Sequence, residues 1–123
     1  MKTAIAGAPR TGKTTLANSM PGTCRHTDDV ASMGWSLASL RVSHWFDNPS
    51  IDIIEGVAVP RALRKWLQRN PTGRPCGVLI WLATPFVKLS AGQERMGKGC
   101  VTVFKEIYDE LQERGVRIEI RNP

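Results

Sequence analysis

Eight consecutive residues constrain this chain more than any others. Gly7-Ala8-Pro9-Arg10-Thr11-Gly12-Lys13-Thr14 satisfies the spacing GxxxxGK[ST] at every fixed position. The context agrees. Residues 2–6 read as a short strand, and residues 14–20 read as a helix stopped by Pro21-Gly22. The spacing has a chemical reason. The glycines let backbone N–H groups curl around a phosphate with no side chain in the way, and a helix N-terminus adds the positive end of its dipole. Lys13 is expected to neutralise the β- and γ-phosphates of a nucleoside triphosphate, and the Thr14 hydroxyl to hold Mg²⁺. The expected ATP-binding residues are therefore Gly7, Ala8, Pro9, Arg10, Thr11, Gly12, Lys13, Thr14 and Thr15.

Strand and helix signals alternate along the rest of the chain. Residues 23–27 are a weak, polar strand candidate. Val30, Met33, Leu37, Leu40 and His44 recur at helical spacing, which predicts one amphipathic helix over 30–46. Residues 51–55 read as a buried strand. Pro60 suits the first turn of a helix running to about residue 70, with Val59, Leu63, Trp66 and Leu67 facing inward. Residues 78–83 form the most apolar strand, of the kind found at the centre of a parallel sheet. A loop is expected over 84–98. Val101, Phe104, Tyr108 and Leu111 then line one face of a last helix, Gly115 caps it, and 116–120 form the final strand. The alternation implies an α/β fold, with about five parallel strands and helices on both faces. A length of 123 residues suits one domain, 1–123.

Composition narrows the function classes. No apolar run approaches the ~18 residues that span a membrane. The N-terminal MKTAIAGAPR is broken by Gly7, Pro9 and Arg10, so it does not read as a signal peptide. Cys24, Cys76 and Cys100 are odd in number, far apart and without a CxxC pair, which suits reduced, mostly buried thiols in a cytoplasmic protein. The net charge of +6 is uneven. Between Val57 and Cys100, the eight basic residues Arg61, Arg64, Lys65, Arg69, Arg74, Lys88, Arg95 and Lys98 are opposed only by Glu94. Such a cluster attracts polyanions, DNA among them, or else forms a solvated face.

Ala91-Gly92-Gln93-Glu94-Arg95 looks like the switch segment of a small GTPase. The aspartate that segment needs, three residues before its glycine, is Leu89 here, and no NKxD follows. A motor-type ATPase needs a larger domain and an hhhhDE strand, to which IDIIE at 51–55 is a one-carboxylate approximation.

Over nearly its whole length the chain resembles the P-loop nucleoside, nucleotide and polynucleotide kinases, which have the P-loop NTPase three-layer sandwich. Four places carry the resemblance. The first is the phosphate loop. The second is RHTDDV, where Asp28 and Asp29 follow the second strand. By that resemblance Asp28 accepts the proton of an attacking hydroxyl, and Asp29 orients acceptor or water on Mg²⁺. A positioned carboxylate suits the task, because a hydroxyl is a poor nucleophile at pH 7. The same pair also suits a helix N-cap with its first-turn neighbour.

The third place is EGVAVPRALRKW, similar to a DG-x-PR segment, with Glu55 replacing the aspartate and extra residues before Pro60-Arg61. It implies a metal role for Glu55 beside Thr14, and acceptor binding by Arg61 and Arg64. The fourth is the segment around SAGQERMGKG. By the resemblance it is a basic lid with glycine freedom, and Arg95 stabilises charge on the transferring phosphoryl group.

Size, charge and motif order further resemble the bacteriophage 5-hydroxymethyluridine DNA kinases. That likeness implies ATP-dependent phosphorylation of the hydroxymethyl group of 5-hydroxymethyluracil in DNA, inside a host cytoplasm, with the base leaving the stack to reach Asp28. The alternatives are a kinase of a free nucleoside or nucleotide, and a nucleic-acid-binding ATPase or ATP-sensing subunit. Trp35, Trp45 and Trp66 offer either stacking faces or core.

Overall fold

The sheet is built around alanines. Strand β1 (Thr3–Gly7) lies at its centre, and the order is β2-β3-β1-β4-β5, with every neighbour parallel. The other strands are β2 (Cys24–His26), β3 (Ile53–Glu55), β4 (Val78–Leu82) and β5 (Arg117–Arg121). The structure is a computed structural model, and it describes residues 2–83, 85 and 88–121. Four α-helices join the strands: α1 (Lys13–Ser19), α2 (Trp35–Trp45), α3 (Val59–Arg69) and α4 (Ala91–Glu113).

Side chains alternate across the strands, so two cores form. On one face Ala4, Ala6, Ile54, Leu79 and Trp81 pack with α2, α3 and α4. On the other, Ile5, Ile53, Ile80 and Leu82 pack with Leu16 and Ala17 of α1. Helices thus cover both faces, as expected, but unequally: α1 is the only one of the four on its side. The small Ala4 and Ala6 leave room for α3 and α4 to approach β1. Val59, Leu63, Trp66 and Leu67 of α3 are buried as predicted, each contributing about 1.5–3 kcal/mol of transfer free energy. Trp81 of β4 stacks on Phe104 of α4 with centroids 4.3 Å apart.

Two expected elements differ. The helix predicted over 30–46 is a 3₁₀ segment, Thr27–Met33, followed by α2. Gly34 separates them at φ 85°, a conformation that resists other residues. The predicted loop over 84–98 is shorter. Thr84, Phe86 and Val87 lie outside the described residues, and α4 already begins at Ala91. Ser90 and Gln93 form a capping box, Ser90 Oγ accepting from Gln93 N at 3.2 Å and Gln93 Oε1 from Ser90 N at 3.0 Å. The segment that resembles a GTPase switch is therefore a helix start. No helix among the described residues is long and apolar enough to cross a membrane.

Candidate active site

The chain runs from β1 outward to β2, back to β3, then across to β4. This reversal makes a crevice at the carboxyl ends of the central strands, where open α/β sheets bind ligands. A cleft of about 490 Å³ lies there. Its walls include Pro9, Arg10, Gly12, Lys13, Thr14 and Thr15 from the β1–α1 turn, Asp28 from the 3₁₀ segment, Glu55 and Gly56 from the end of β3, and Gln93 and Met96 from α4.

The β1–α1 turn is tightly folded. Gly12 takes φ 89° at the start of α1, and Arg10 holds φ 65°, a left-handed conformation that costs a non-glycine residue about 1–2 kcal/mol. Lys13 is buried, and its Nζ donates to Ala8 O at 2.7 Å across the turn. Burial pulls the pKa of this ammonium below 10.5, against the opposing pull of the Glu55 carboxylate. Cys100 lies beneath, its Sγ 3.6 Å from both Gly7 O and Val57 O. Burial pushes that thiol up to about 11.

Glu55 is the most enclosed charge of the site, 2% exposed. Parallel register sets it beside Ile5 of β1 and His26 of β2. Its Oε1 accepts from Thr14 Oγ1 at 3.1 Å and lies 2.6 Å from His26 Nδ1. A hydroxyl, a carboxylate, an imidazole and a buried ammonium are thereby gathered from three strand ends. His26 carried no expected role, and its only sequence signal was its place two residues before Asp28.

Asp28 lines the cleft, is exposed, and adds to the negative field felt by Lys13. Asp29 is exposed and does not line it. The alternative role of this pair, a helix cap with its first-turn neighbour, differs in the structure: His26 occupies the cap position, and both carboxylates sit in the first turn. Gly56 explains why Asp28 stands where it does. A Cβ on Gly56 would lie 1.7 Å from Thr27 Oγ1, so only glycine lets the buried Thr27 pack on the end of β3 and carry Asp28 to the cleft edge.

None of the eight basic residues of 57–100 lines the cleft. Arg64 pairs with Glu106 at 2.9 Å, Arg69 with Asp47 at 2.8 Å, and Arg74 donates to Gly115 O at 2.9 Å. These arginines tie α3 and the turn after it to neighbouring elements. The Arg61 guanidinium stacks on the Trp35 ring, 4.4 Å from its centroid. Arg95 is exposed on the first turns of α4 and does not line the cleft. Lys88 and Lys98 are also exposed.

Two glycines of α4, Gly97 and Gly99, serve close approach. A Cβ on Gly97 would lie 3.0 Å from Ala8 Cβ, and one on Gly99 would lie 2.6 Å from Arg61 Nη2. Gly97 thus lets α4 rest on the β1–α1 turn and brings Gln93 and Met96 to the cleft. Of the tryptophans weighed as stacking faces, Trp45 and Trp66 are buried, and Trp35 is 42% exposed. No family model matches the chain, and no curated protein matches its sequence.

Proposed function

We propose that this chain is a P-loop phosphotransferase that moves the γ-phosphate of ATP onto a hydroxyl. One observation carries the reading: a single cleft gathers the GxxxxGKT turn, the buried Lys13, the Thr14–Glu55 pair and the exposed Asp28. The β1–α1 turn holds the triphosphate, and Lys13 leaves Ala8 O to meet the β- and γ-oxygens. The acceptor oxygen attacks the γ-phosphorus, the bond to the bridging oxygen breaks, and ADP leaves with that electron pair. The hydroxyl proton passes to the Asp28 carboxylate.

Mg²⁺ fits the donor set. The Thr14 hydroxyl and Glu55 carboxylate are hard oxygen donors 3.1 Å apart on the cleft, and Mg²⁺ asks for only one or two such groups beside phosphate oxygens and water. Among the described residues no group of three or more His, Cys, Asp or Glu is placed to hold a metal. Thr14 and Glu55 would hold the ion, which supplies charge neutralisation at the β- and γ-oxygens.

The acceptor we propose is the hydroxymethyl group of 5-hydroxymethyluracil in DNA, supported by the net charge of +6, by exposed Lys88, Arg95 and Lys98, and by the kinase resemblance. Incubation with γ-labelled ATP and hydroxymethylated DNA, plain DNA, nucleosides and nucleotides tests it. Label confined to hydroxymethylated DNA is the expected result. Label in a free nucleoside or nucleotide replaces the acceptor. ADP release independent of every acceptor rejects phosphotransfer in favour of an ATPase.

A further inference from the structure

A second, narrower pocket of about 220 Å³ opens beside the cleft. The two share Asp28, Val57 and Met96 as lining residues. Beyond Asp28 the walls are chiefly apolar, with Trp35, Ala38 and Ala58 among them. No lysine or arginine lines it. A phosphate pushed into such a place would lose its water without gaining a cation, and the Asp28 carboxylate would repel it. A flat, uncharged ring loses little by entering and gains a tryptophan wall.

We infer that this pocket is the acceptor subsite, that it takes an uncharged planar ring bearing a hydroxyl on a short arm, and that any phosphate of the acceptor stays outside it. The inference deepens the phosphotransfer reading and rests on it. With the ring against Trp35 and Met96, its hydroxyl reaches Asp28, which lines both cavities. The oxygen then forms its bond to the γ-phosphorus, the bridging P–O bond breaks with its electrons to ADP, and the proton moves to Asp28.

Arg61 takes a different role from the one its motif implies. Its guanidinium lies on the Trp35 ring, and its Nη1 is buried with no hydrogen-bond partner. A cation held in this way is compensated by the aromatic face it covers. Trp35, which stays 42% exposed, gains a backing that fixes its plane. Arg61 is thus a positioning residue that acts through Trp35, and it is not a ligand of acceptor phosphate.

The test uses the full chain loaded with a non-hydrolysable ATP analogue and titrated calorimetrically with two probes, 5-hydroxymethyluracil and 5-hydroxymethyl-2′-deoxyuridine 5′-monophosphate. Trp35→Ala should weaken the free base by about 5- to 150-fold, the range for losing one stacking contact, with affinity for the ATP analogue unchanged. Ala38→Leu, which fills the pocket, should act in the same direction. Trp35→Ala changes a half-exposed side chain, so the test survives if Ala38→Leu does not fold. Arg61→Lys, which keeps a cation over the ring, should bind the base nearly as wild type does, whereas Arg61→Met should resemble Trp35→Ala. The monophosphate should bind no more tightly than the base. Three results would each overturn the subsite: no base binding to wild type, base binding indifferent to Trp35→Ala, or a monophosphate preference that Arg61→Met abolishes. If base and nucleotide bind as expected but γ-labelled ATP transfers no label, the phosphotransfer reading fails and the ring pocket stands.

Discussion

Thr14 and Glu55 are 41 residues apart in sequence, yet the Thr14 hydroxyl donates to Glu55 Oε1 at 3.1 Å. Parallel pairing of β1 with β3 creates that contact, because it aligns the ends of the two strands. Glu55→Gln keeps the shape of the side chain and removes its charge. If Glu55 works with Thr14 on Mg²⁺, nucleotide binding to wild type should weaken when Mg²⁺ is removed, and the variant should lose most of that difference. Titrations of ATP with and without Mg²⁺ measure it. An undiminished Mg²⁺ effect in Glu55→Gln would remove Glu55 from the metal role.

Lys13→Met should weaken ATP binding by at least about 10- to 150-fold, the loss of one charge-assisted hydrogen bond. Its thermal midpoint should hold or rise, since the substitution removes an ammonium whose burial already opposes its charge. Unchanged ATP affinity in a folded Lys13→Met protein would sink the assignment of the turn.

Asp28→Asn should leave ATP affinity intact and reduce transfer by about 10²–10⁴-fold. Stability should change little, because Asp28 is exposed and is not the cap residue of its segment. Asp29→Asn, away from the cleft, should cost less activity. A steady-state comparison of kcat for the two variants decides between a proton acceptor and a merely acidic first turn.

Two glycines of α4 give opposite outcomes. A Cβ at Gly92 would meet nothing nearer than the flexible end of Arg95 at 3.9 Å, so Gly92→Ala, in the first turn of α4, should gain up to about 1 kcal/mol from helix propensity. Gly97→Ala should gain less or lose, because its methyl crowds Ala8, and it should weaken ATP binding by displacing the turn. Thermal unfolding and ATP titration of both variants provide the check. A mobile lid would instead respond to Gly92→Ala with slower turnover and no added stability.

Burial raises the thiol of Cys100 from 9.0 to about 11 and that of Cys76 to about 12. Above pH 9 the unfolded chain releases these protons while the folded chain keeps them, so stability falls as pH rises from 9 towards 11. Lys13, with its lowered value, contributes the opposite sign in the alkaline range. Comparing denaturant midpoints of wild type and Cys100→Ala isolates the thiol: the variant should lose stability less steeply between pH 9 and 11, by about 2 kcal/mol across the window. Parallel slopes would contradict a buried Cys100 thiol.

The sequence by itself determined the alternation of strands and helices along the chain, the glycine-spaced turn between β1 and α1, and the inward face of α3. Each of these is local: a glycine spacing, an alternation of periods, and Val59, Leu63, Trp66 and Leu67 at helical intervals. It also contained the Ser90–Gln93 capping box, which a likeness to a switch segment concealed. Only the tertiary structure decided what long-range packing controls. Strand register brought His26 and Glu55 together. Gly56 made room for Thr27 and so set Asp28 at the cleft. Gly97 let α4 deliver Gln93 and Met96. The basic excess, which composition could only count, was divided by partners distant in sequence: Glu106 for Arg64, Asp47 for Arg69 and the face of Trp35 for Arg61. A charge acts on whatever the fold brings within a few ångströms, and residue order does not record that distance.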